Sequence, residues 1–292
     1  METEPRPPYN DRFGRVEISE EDEEIGGRIS KLFCERLTRV PPWNIRGNVV
    51  TITNNREIID GLDNEMISLE LARTVAGFKM VEDFLPYYMG RGNELVSRNK
   101  GLFEITTQWG REELNHGLAL ARILVQTGYK TEKEILNEYN ENLKRTWQLP
   151  FSTARQVVAH FAFSEHGTFR AYWALKTRAE KEGALRIARV LELIAKDEMY
   201  HCTGYTEATK IYYDEDPEGT LEDVLYVTSE FRMPAQNLHP DTRQWIRDLI
   251  EVGVLRKGLV IEQILRPTLR GFGFISEEEA DKAVKLFGRK KA

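Results

Sequence analysis

The sequence predicts an all-α fold, and three features of its pattern point to that class. Amphipathic segments of up to about 30 residues recur, with apolar residues spaced as on one face of a helix. Glycine and proline residues separate these segments. The alternating apolar pattern that indicates strands is almost absent from the 292 residues.

The N-terminal region predicts a short arm followed by a first helix. Residues 1–15 are polar and rich in proline, so we expect a flexible arm there and a single domain over residues 16–292. Ser19 belongs to a residue type that caps helices, and the first helix is expected from Ser19 to about Val40, where two prolines follow. Residues 43–55 are expected to form an extended connector.

Further helices follow to the C-terminus. The amphipathic segments cover residues 57–89, 94–127, 131–147, 152–181, 184–213, 220–232, 241–256 and 257–270. Gly90 and Gly128 are expected to end the first two of these helices, and the stretch Asp216–Gly219 predicts a turn. Ser276, followed three residues later by Glu279, predicts a capping box at the start of a short terminal helix.

Composition excludes several classes of protein. Hydrophobic residues make up 41% of the chain, charged residues 30%, and the net charge is −6, which argues against non-specific binding of nucleic acid. The sequence contains no apolar stretch long enough to span a membrane and no signal-peptide pattern. Two cysteines, Cys34 and Cys202, form no disulfide framework, so we expect a reducing compartment, the cytoplasm.

Two of the five histidines lie three residues after a glutamate. These pairs are Glu113 with His116, and Glu198 with His201. Residues three apart share one face of a helix, so each pair can bind one metal ion. A single Glu-x-x-His is more often part of a solvated helix surface, so a metal site needs further ligands on other helices.

One further glutamate lies on the helix before each pair. Glu82 precedes Glu113 by 31 residues, and Glu165 precedes Glu198 by 33. Ferritin-like di-iron bundles use this ligand set, with one glutamate from each of two helices and Glu-x-x-His from each of the other two. Both glutamates stand among apolar residues, where an unpaired carboxylate is costly. A buried salt bridge to Arg170 is the alternative for Glu165.

The sequence therefore predicts a ferritin-like di-iron four-helix bundle with additional flanking helices. The predicted metal ligands are Glu82, Glu113, His116, Glu165, Glu198 and His201. Four carboxylates and two imidazoles favour iron or manganese, and we expect two iron ions per chain, with manganese as a substitute. Glu112 and Asp197 each precede a histidine by four residues, so they are candidates to accept the N–H of a ligating imidazole on their own or the facing helix.

Several motifs around these residues match the pattern of a known family. They are Trp109–Gly117, Asp197–His201, Glu82–Tyr87, Glu165–Phe169, Pro42–Asn44 and Met233–Pro234. Over residues 41–288 the chain resembles the soluble acyl-carrier-protein desaturases, particularly their bacterial, mycobacterial-like branch. It departs from them at Tyr172, where the family has a histidine.

The resemblance implies a function. It implies an enzyme that uses oxygen and electrons from a ferredoxin-type donor to form a cis double bond in an acyl chain on acyl carrier protein, and it implies a homodimer. It assigns catalytic roles to Thr168 in oxygen activation and to Asp197 and Trp43 in electron relay. The alternatives are a helix hydroxyl bonded to the preceding turn for Thr168 and a packing role for Trp43.

Two other functions stay open at the level of the sequence. A related di-iron oxygenase that hydroxylates a specialised metabolite would use the same ligands. An iron store or a non-catalytic iron-binding protein would also bind iron between helices. Storage ferritins are shorter chains that form cages, and Thr168 and Asp197 favour oxygen chemistry over storage.

Overall fold

A computed structural model gives the fold of most of the chain. It describes residues 20–39, 62, 65–145, 149–233, 239–256 and 258–291. Within these ranges the regular elements are helices and no strand occurs, which confirms the all-α class. The arm at 1–15, the cap at Ser19, Trp43 and the connector at 43–55 lie outside the described residues.

The helices follow one another with short connections. They are α1 (Glu20–Arg39), α2 (Leu69–Asp83), α3 (Leu85–Val96), α4 (Lys100–Gln126), α5 (Glu132–Asn142), α6 (Ala154–Lys181), α7 (Leu185–Glu215), α8 (Pro217–Glu230), α9 (Thr242–Glu251), α10 (Arg266–Phe272) and α11 (Glu277–Lys291). A π-helical segment, Val260–Leu265, leads directly into α10.

Several helix ends have the capping residues that the sequence predicts. The predicted capping box of α11 is present: the backbone N of Glu279 donates to Oγ of Ser276 at 3.3 Å, and that of Ser276 donates to Oε2 of Glu279 at 2.8 Å. Gly128 and Gly183 follow α4 and α6 with φ angles of +72° and +80°. This left-handed backbone favours glycine and ends both helices where the sequence predicts.

The predicted helix over residues 57–89 is wrong in two respects. Residues 65–68 are not helical, and α2 begins only after Ser68, whose side chain accepts a hydrogen bond from the N–H of Leu71. The helical run then breaks at Phe84 instead of ending at Gly90. Pro86 explains the break, because it has no N–H to donate to the carbonyl four residues earlier and its ring clashes there.

Other boundaries also differ from the prediction, among them the ends of α5 at Asn142 and of α9 at Glu251. Residues 94–96 belong to α3, and α4 starts after Asn99, whose side chain caps the N–H of Leu102 at 3.0 Å. Within the stretch Asp216–Gly219 only Asp216 is non-helical, so the predicted break between α7 and α8 is present but is one residue long, and Asp216 caps α8. The predicted helix at 257–270 contains the π-helical segment, which precedes Pro267, a residue without an N–H for regular helical bonding.

Four helices, α2, α4, α6 and α7, pack around one another as a bundle. The other helices pack on the outside, with α1 against α4 and α7, α9 against α2, and α8 against α6 and α7. This arrangement matches the predicted bundle with flanking helices. It brings together the four helices that carry the predicted metal ligands.

The bundle contains two apolar clusters with a polar layer between them. One cluster includes Trp109, Phe161 and Tyr205, and the other includes Leu120 and Tyr172. On α4, α6 and α7 the predicted ligands fall between the stretches that contribute to the two clusters. Apolar side chains therefore seal the polar layer along the bundle axis and keep water away from it.

Candidate metal centre

The six predicted ligands converge in the polar layer of the bundle. Each is at most 8% exposed. Their ligand atoms form two groups, and within each group all atoms lie within 4.8 Å of one another. The groups are Glu82, Glu113, His116 and Glu198, and Glu113, Glu165, Glu198 and His201. The cluster can hold metal ions, and that these are iron stays a prediction.

Glu113 and Glu198 belong to both groups. These two side chains would therefore be shared between two ions, if each group held one. Glu82 and His116 would help to hold one ion, and Glu165 and His201 the other. The arrangement has an approximate two-fold symmetry, in which each half supplies one terminal glutamate and one histidine.

Two buried carboxylate oxygens in this cluster face imidazole nitrogens and have no other partner among the described residues. Oε1 of Glu113 lies 3.1 Å from Nδ1 of His201, and Oε1 of Glu198 lies 3.3 Å from Nδ1 of His116. If Nδ1 carries a lone pair, each contact joins two electron-rich atoms and needs a proton or a cation between them. The donor set therefore fits a pair of divalent ions.

Each histidine is held by a carboxylate from the facing helix. Nε2 of His116 lies 3.1 Å from Oδ2 of Asp197, and Nε2 of His201 lies 2.7 Å from Oε2 of Glu112. If each Nε2–H donates to its carboxylate, Nδ1 carries the lone pair that a metal needs. The Nδ1 atoms do face the ligands: that of His116 lies 3.3 Å from Oε2 of Glu113. The sequence alone did not indicate whether each carboxylate would bond to the histidine of its own helix or of the facing helix. In the structure each bonds to the histidine of the facing helix.

Thr168 contacts the cluster and the preceding helical turn together. Its Oγ1 lies 3.0 Å from Oε2 of Glu198, and 3.2 Å and 3.1 Å from the backbone carbonyls of Ser164 and Glu165. The bond to the preceding turn, expected as the structural alternative, is therefore present. The additional contact with Glu198 places the hydroxyl beside a shared ligand. Its role in oxygen activation stays a prediction.

Tyr172 donates a hydrogen bond that the sequence analysis did not foresee. Its phenolic O–H donates to Oε1 of Glu82 at 2.5 Å, and the residue is fully buried. The only signal in the sequence was the departure from the family histidine at this position. Nothing in that departure indicated which ligand the phenol would reach.

Burial and mutual repulsion raise the pKa values of the terminal carboxyls. The pKa of Glu82 is raised well above its ordinary 4.5, first by burial and then by the charges of Glu113 and Glu198. Burial and the same two charges, led by that of Glu198, raise the pKa of Glu165 in the same direction. Without cations the cluster therefore favours protons on these carboxyls, and cations must displace those protons to bind.

The pKa values of the two imidazoles are also raised, but for a different reason. Burial alone would lower the pKa of His116, but the charge of Glu113 and a hydrogen bond donated to Asp197 outweigh it and raise that pKa well above 6.5. Hydrogen bonds with Glu112 and Glu113 likewise overcome burial and raise the pKa of His201. Positive charge is thus favourable at both positions, as a proton or as a metal ion.

Gly117 lets α4 approach α2 beside the cluster. A Cβ atom at this position would lie 3.2 Å from Cβ of Glu82, closer than ordinary van der Waals contact. Trp109, on the same helix, packs its ring at 4.7 Å from that of Phe161. Arg170 donates to Gln263, so the buried salt bridge considered for Glu165 is not formed.

The helices that carry the predicted ligands match a known protein family. A family model described as fatty acid desaturase matches residues 53–252. The chain belongs to this family. The match spans α2 to α9 and so includes the six predicted ligands, together with Thr168 and Asp197. In the part of the chain that the structure describes, no helix is both long and apolar enough to cross a membrane.

The individual proteins to which the chain is similar include plant proteins. It is 27% identical over 179 residues to acyl-[acyl-carrier-protein] desaturase 4, chloroplastic, of Oryza sativa subsp. japonica, covering 57% of this chain and 42% of the relative. It is 28% identical over 183 residues to stearoyl-[acyl-carrier-protein] 9-desaturase, chloroplastic, of Ricinus communis, covering 56% and 45%. The matches span less than half the length of these relatives.

Proposed function

We propose that this protein is an oxygen-dependent desaturase that forms a cis double bond in an acyl chain bound to acyl carrier protein. The observation that supports this most is the pair of overlapping ligand groups, buried and sharing Glu113 and Glu198, in a chain of the fatty acid desaturase family. Two iron ions held there would supply the reduction of oxygen and the removal of hydrogen from C–H bonds.

The side chains suit iron in charge as well as in position. Four carboxylates offset the charge of two divalent ions, so the loaded centre is tolerable in an apolar bundle. Asp197 and Glu112 fix the histidine tautomers. The apolar clusters on both sides exclude water, which protects a reactive centre from side reactions.

Thr168 is proposed to donate a proton beside the centre and to be reprotonated by a neighbour. Its hydroxyl touches Oε2 of Glu198 at 3.0 Å, so Oγ1 can donate toward the space between the ligands and regain a proton from a neighbour. Asp197 is proposed to take part in electron relay with Trp43. Asp197 touches His116, and Trp43 lies outside the described residues, so this pair stays a proposal.

A cavity offers room for an alkyl chain next to the ligands. It has a volume of about 600 Å³, includes Glu82 and Glu113 in its wall, and is otherwise mostly apolar. Sites for small molecules commonly have this size and character. Phe84, Phe161 and Phe163 are packed in one of the apolar clusters, whereas Phe78 lines a smaller apolar cavity of about 170 Å³ that also reaches Thr168.

The carrier and the electron donor rest on similarity. Relatives named acyl-[acyl-carrier-protein] desaturases support a carrier-bound acyl substrate. The ferredoxin-type donor and the homodimer are proposed from the motif resemblance, and the cytoplasmic location from the cysteine content and the absence of a signal-peptide pattern. A desaturase of this kind needs two external electrons for each double bond. Reduction of one oxygen molecule to water takes four electrons, and the acyl chain supplies only two of them.

Product analysis tests the reaction. Protein loaded with Fe(II) is incubated with oxygen, a reductant and a panel of acyl chains, free and carrier-bound, deuterated at neighbouring carbons. Loss of one deuterium from each of two adjacent carbons, seen by mass spectrometry, supports the proposal. A product that keeps the second deuterium and gains one labelled oxygen atom identifies a hydroxylase and contradicts it. Loading of many irons per chain identifies an iron store instead.

A further inference from the structure

Tyr172 lies on the same face of α6 as Glu165 and Thr168, beside the metal centre. It follows Glu165 by seven residues and Thr168 by four, so all three lie on one side of the helix. Its side chain is fully buried, and its O–H donates to Oε1 of Glu82 at 2.5 Å. The bond ties α6 to α2 at a predicted ligand.

The phenol ring is fixed by its surroundings. The ring of Phe78 lies 5.2 Å away, and Phe78 is one helical turn before Glu82 on α2. The ring of His116 lies at 6.5 Å on another side. Tyr172 therefore packs on the same surface of α2 from which Glu82 projects, and its hydroxyl cannot leave the carboxylate without disturbing that packing.

This bond breaks the approximate symmetry of the centre. Each half has one terminal glutamate, one histidine and the two shared glutamates. The carboxylate of Glu165, the counterpart of that of Glu82, lies 3.2 Å from Nδ1 of His201, and no hydroxyl of the described residues donates to this carboxylate. One terminal carboxylate is thus held by a neutral donor, and the other lacks such a donor.

We propose that Tyr172 is a positioning residue for one metal ion only, the ion bound by Glu82, Glu113, His116 and Glu198. This inference rests on the proposed metal centre. The bond from the phenol to Oε1 would fix the orientation in which the carboxylate of Glu82 faces the ion. Hydrogen-bonding partners of metal ligands typically contribute about 10–100-fold in metal affinity, and here the whole contribution falls on one of two positions.

Stepwise metal titration of Tyr172→Phe tests the proposal without any need for activity. The full chain is titrated anaerobically with Co(II), and binding is followed by visible absorption and by competition with a chelator. Tyr205→Phe is the matched control, because Tyr205 is also fully buried near the centre but its hydroxyl bonds to no predicted ligand. Thermal unfolding of the metal-free variants checks that both are folded.

The expected result is a split between the two binding steps. Wild type and Tyr205→Phe bind two ions. Tyr172→Phe binds one ion with wild-type affinity and the other about 10–100-fold more weakly, with an altered absorption spectrum for that ion. Two unchanged steps, or two equally weakened steps, would overturn the role of Tyr172 while leaving the metal centre intact. Failure of the wild type to bind two ions would contradict the proposed centre itself.

Discussion

Nε2 of His201 on α7 lies 2.7 Å from Oε2 of Glu112 on α4. The reverse contact joins His116 on α4 to Asp197 on α7 at 3.1 Å. Each of the two helices therefore orients the histidine of the other. The two Glu-x-x-His pairs are coupled across the bundle, so we expect a change beside one pair to affect metal binding by the other.

Removal of an outer carboxylate should weaken metal binding without loss of the fold. Glu112→Leu leaves the Nε2–H of His201 without its acceptor, so the ring no longer has a fixed tautomer, and we expect a loss of about 10–100-fold in affinity. Competition with a chelator measures it. Glu207→Leu, on the same helix as His201 and paired at the surface with Lys210, is the control and should bind as wild type. Equal affinities in the two variants would contradict the cross-helix role.

The hydroxyl of Thr168 should matter for oxygen chemistry and not for metal content. Thr168→Val keeps the shape but removes the contact with Glu198, so two irons per chain should remain bound while less oxygen is coupled to product. The measurement compares oxygen consumed with double bonds formed. A variant that stays fully coupled would leave Thr168 with only its bonds to the preceding turn.

Gly117 should be needed for the close approach of α4 to Glu82. Gly117→Ala places a methyl group 3.2 Å from Cβ of Glu82, and Glu82 cannot yield because Tyr172 holds it. We expect weaker binding of one metal ion and lower thermal stability. Gly90→Ala is the matched control, since nothing lies within 4 Å of its added Cβ. Alanine there should stabilise α3 by up to about 1 kcal/mol, and a Gly117→Ala variant that behaves like this control would contradict the packing argument.

The metal-free protein should lose stability as pH rises. The pKa values of Glu82 and Glu165 are raised above 4.5 in the fold, and those of His116 and His201 above 6.5. The folded state therefore binds more protons than the unfolded state, so the free energy of unfolding contributed by these groups decreases as the pH rises above about 5. Bound cations displace those protons, and stabilisation by metal should grow as the pH rises.

Urea unfolding at several pH values, with and without Mn(II), measures both effects. The His116→Ala, His201→Ala double variant is the control and should lose most of the slope above about pH 6.5, the ordinary pKa of histidine. Metal-free protein whose stability is constant or increases as the pH rises would show that the buried cluster does not hold protons in the absence of metal.

The cluster of six side chains could be predicted because it depends largely on local spacing. Glu113 and His116 are three residues apart, and a helix alone places them on one face. The repeat of the pattern with Glu82 and Glu165 then indicated four helices. The break at Phe84 was missed because the apolar periodicity continues through Pro86, and periodicity reports the buried face of a segment rather than the continuity of its backbone.

Contacts between distant helices could not be predicted in the same way. Whether Glu112 reaches His116 or His201 depends on how α4 and α7 are rotated about their axes. The bond from Tyr172 to Glu82 joins residues separated by 90 positions, and it depends on the relative rotation and height of α6 and α2. Such details are set by the packing of the two apolar clusters, which no local pattern encodes.

Metal stoichiometry under anaerobic conditions tests the central claim most directly. Purified protein loaded with Fe(II) and freed of excess metal should contain two irons per chain. The His116→Ala, His201→Ala double variant, checked for intact helical structure by circular dichroism, should lose most of this iron, because both imidazole donors are gone. If the double variant still binds two irons with wild-type affinity, these six side chains do not form the metal centre.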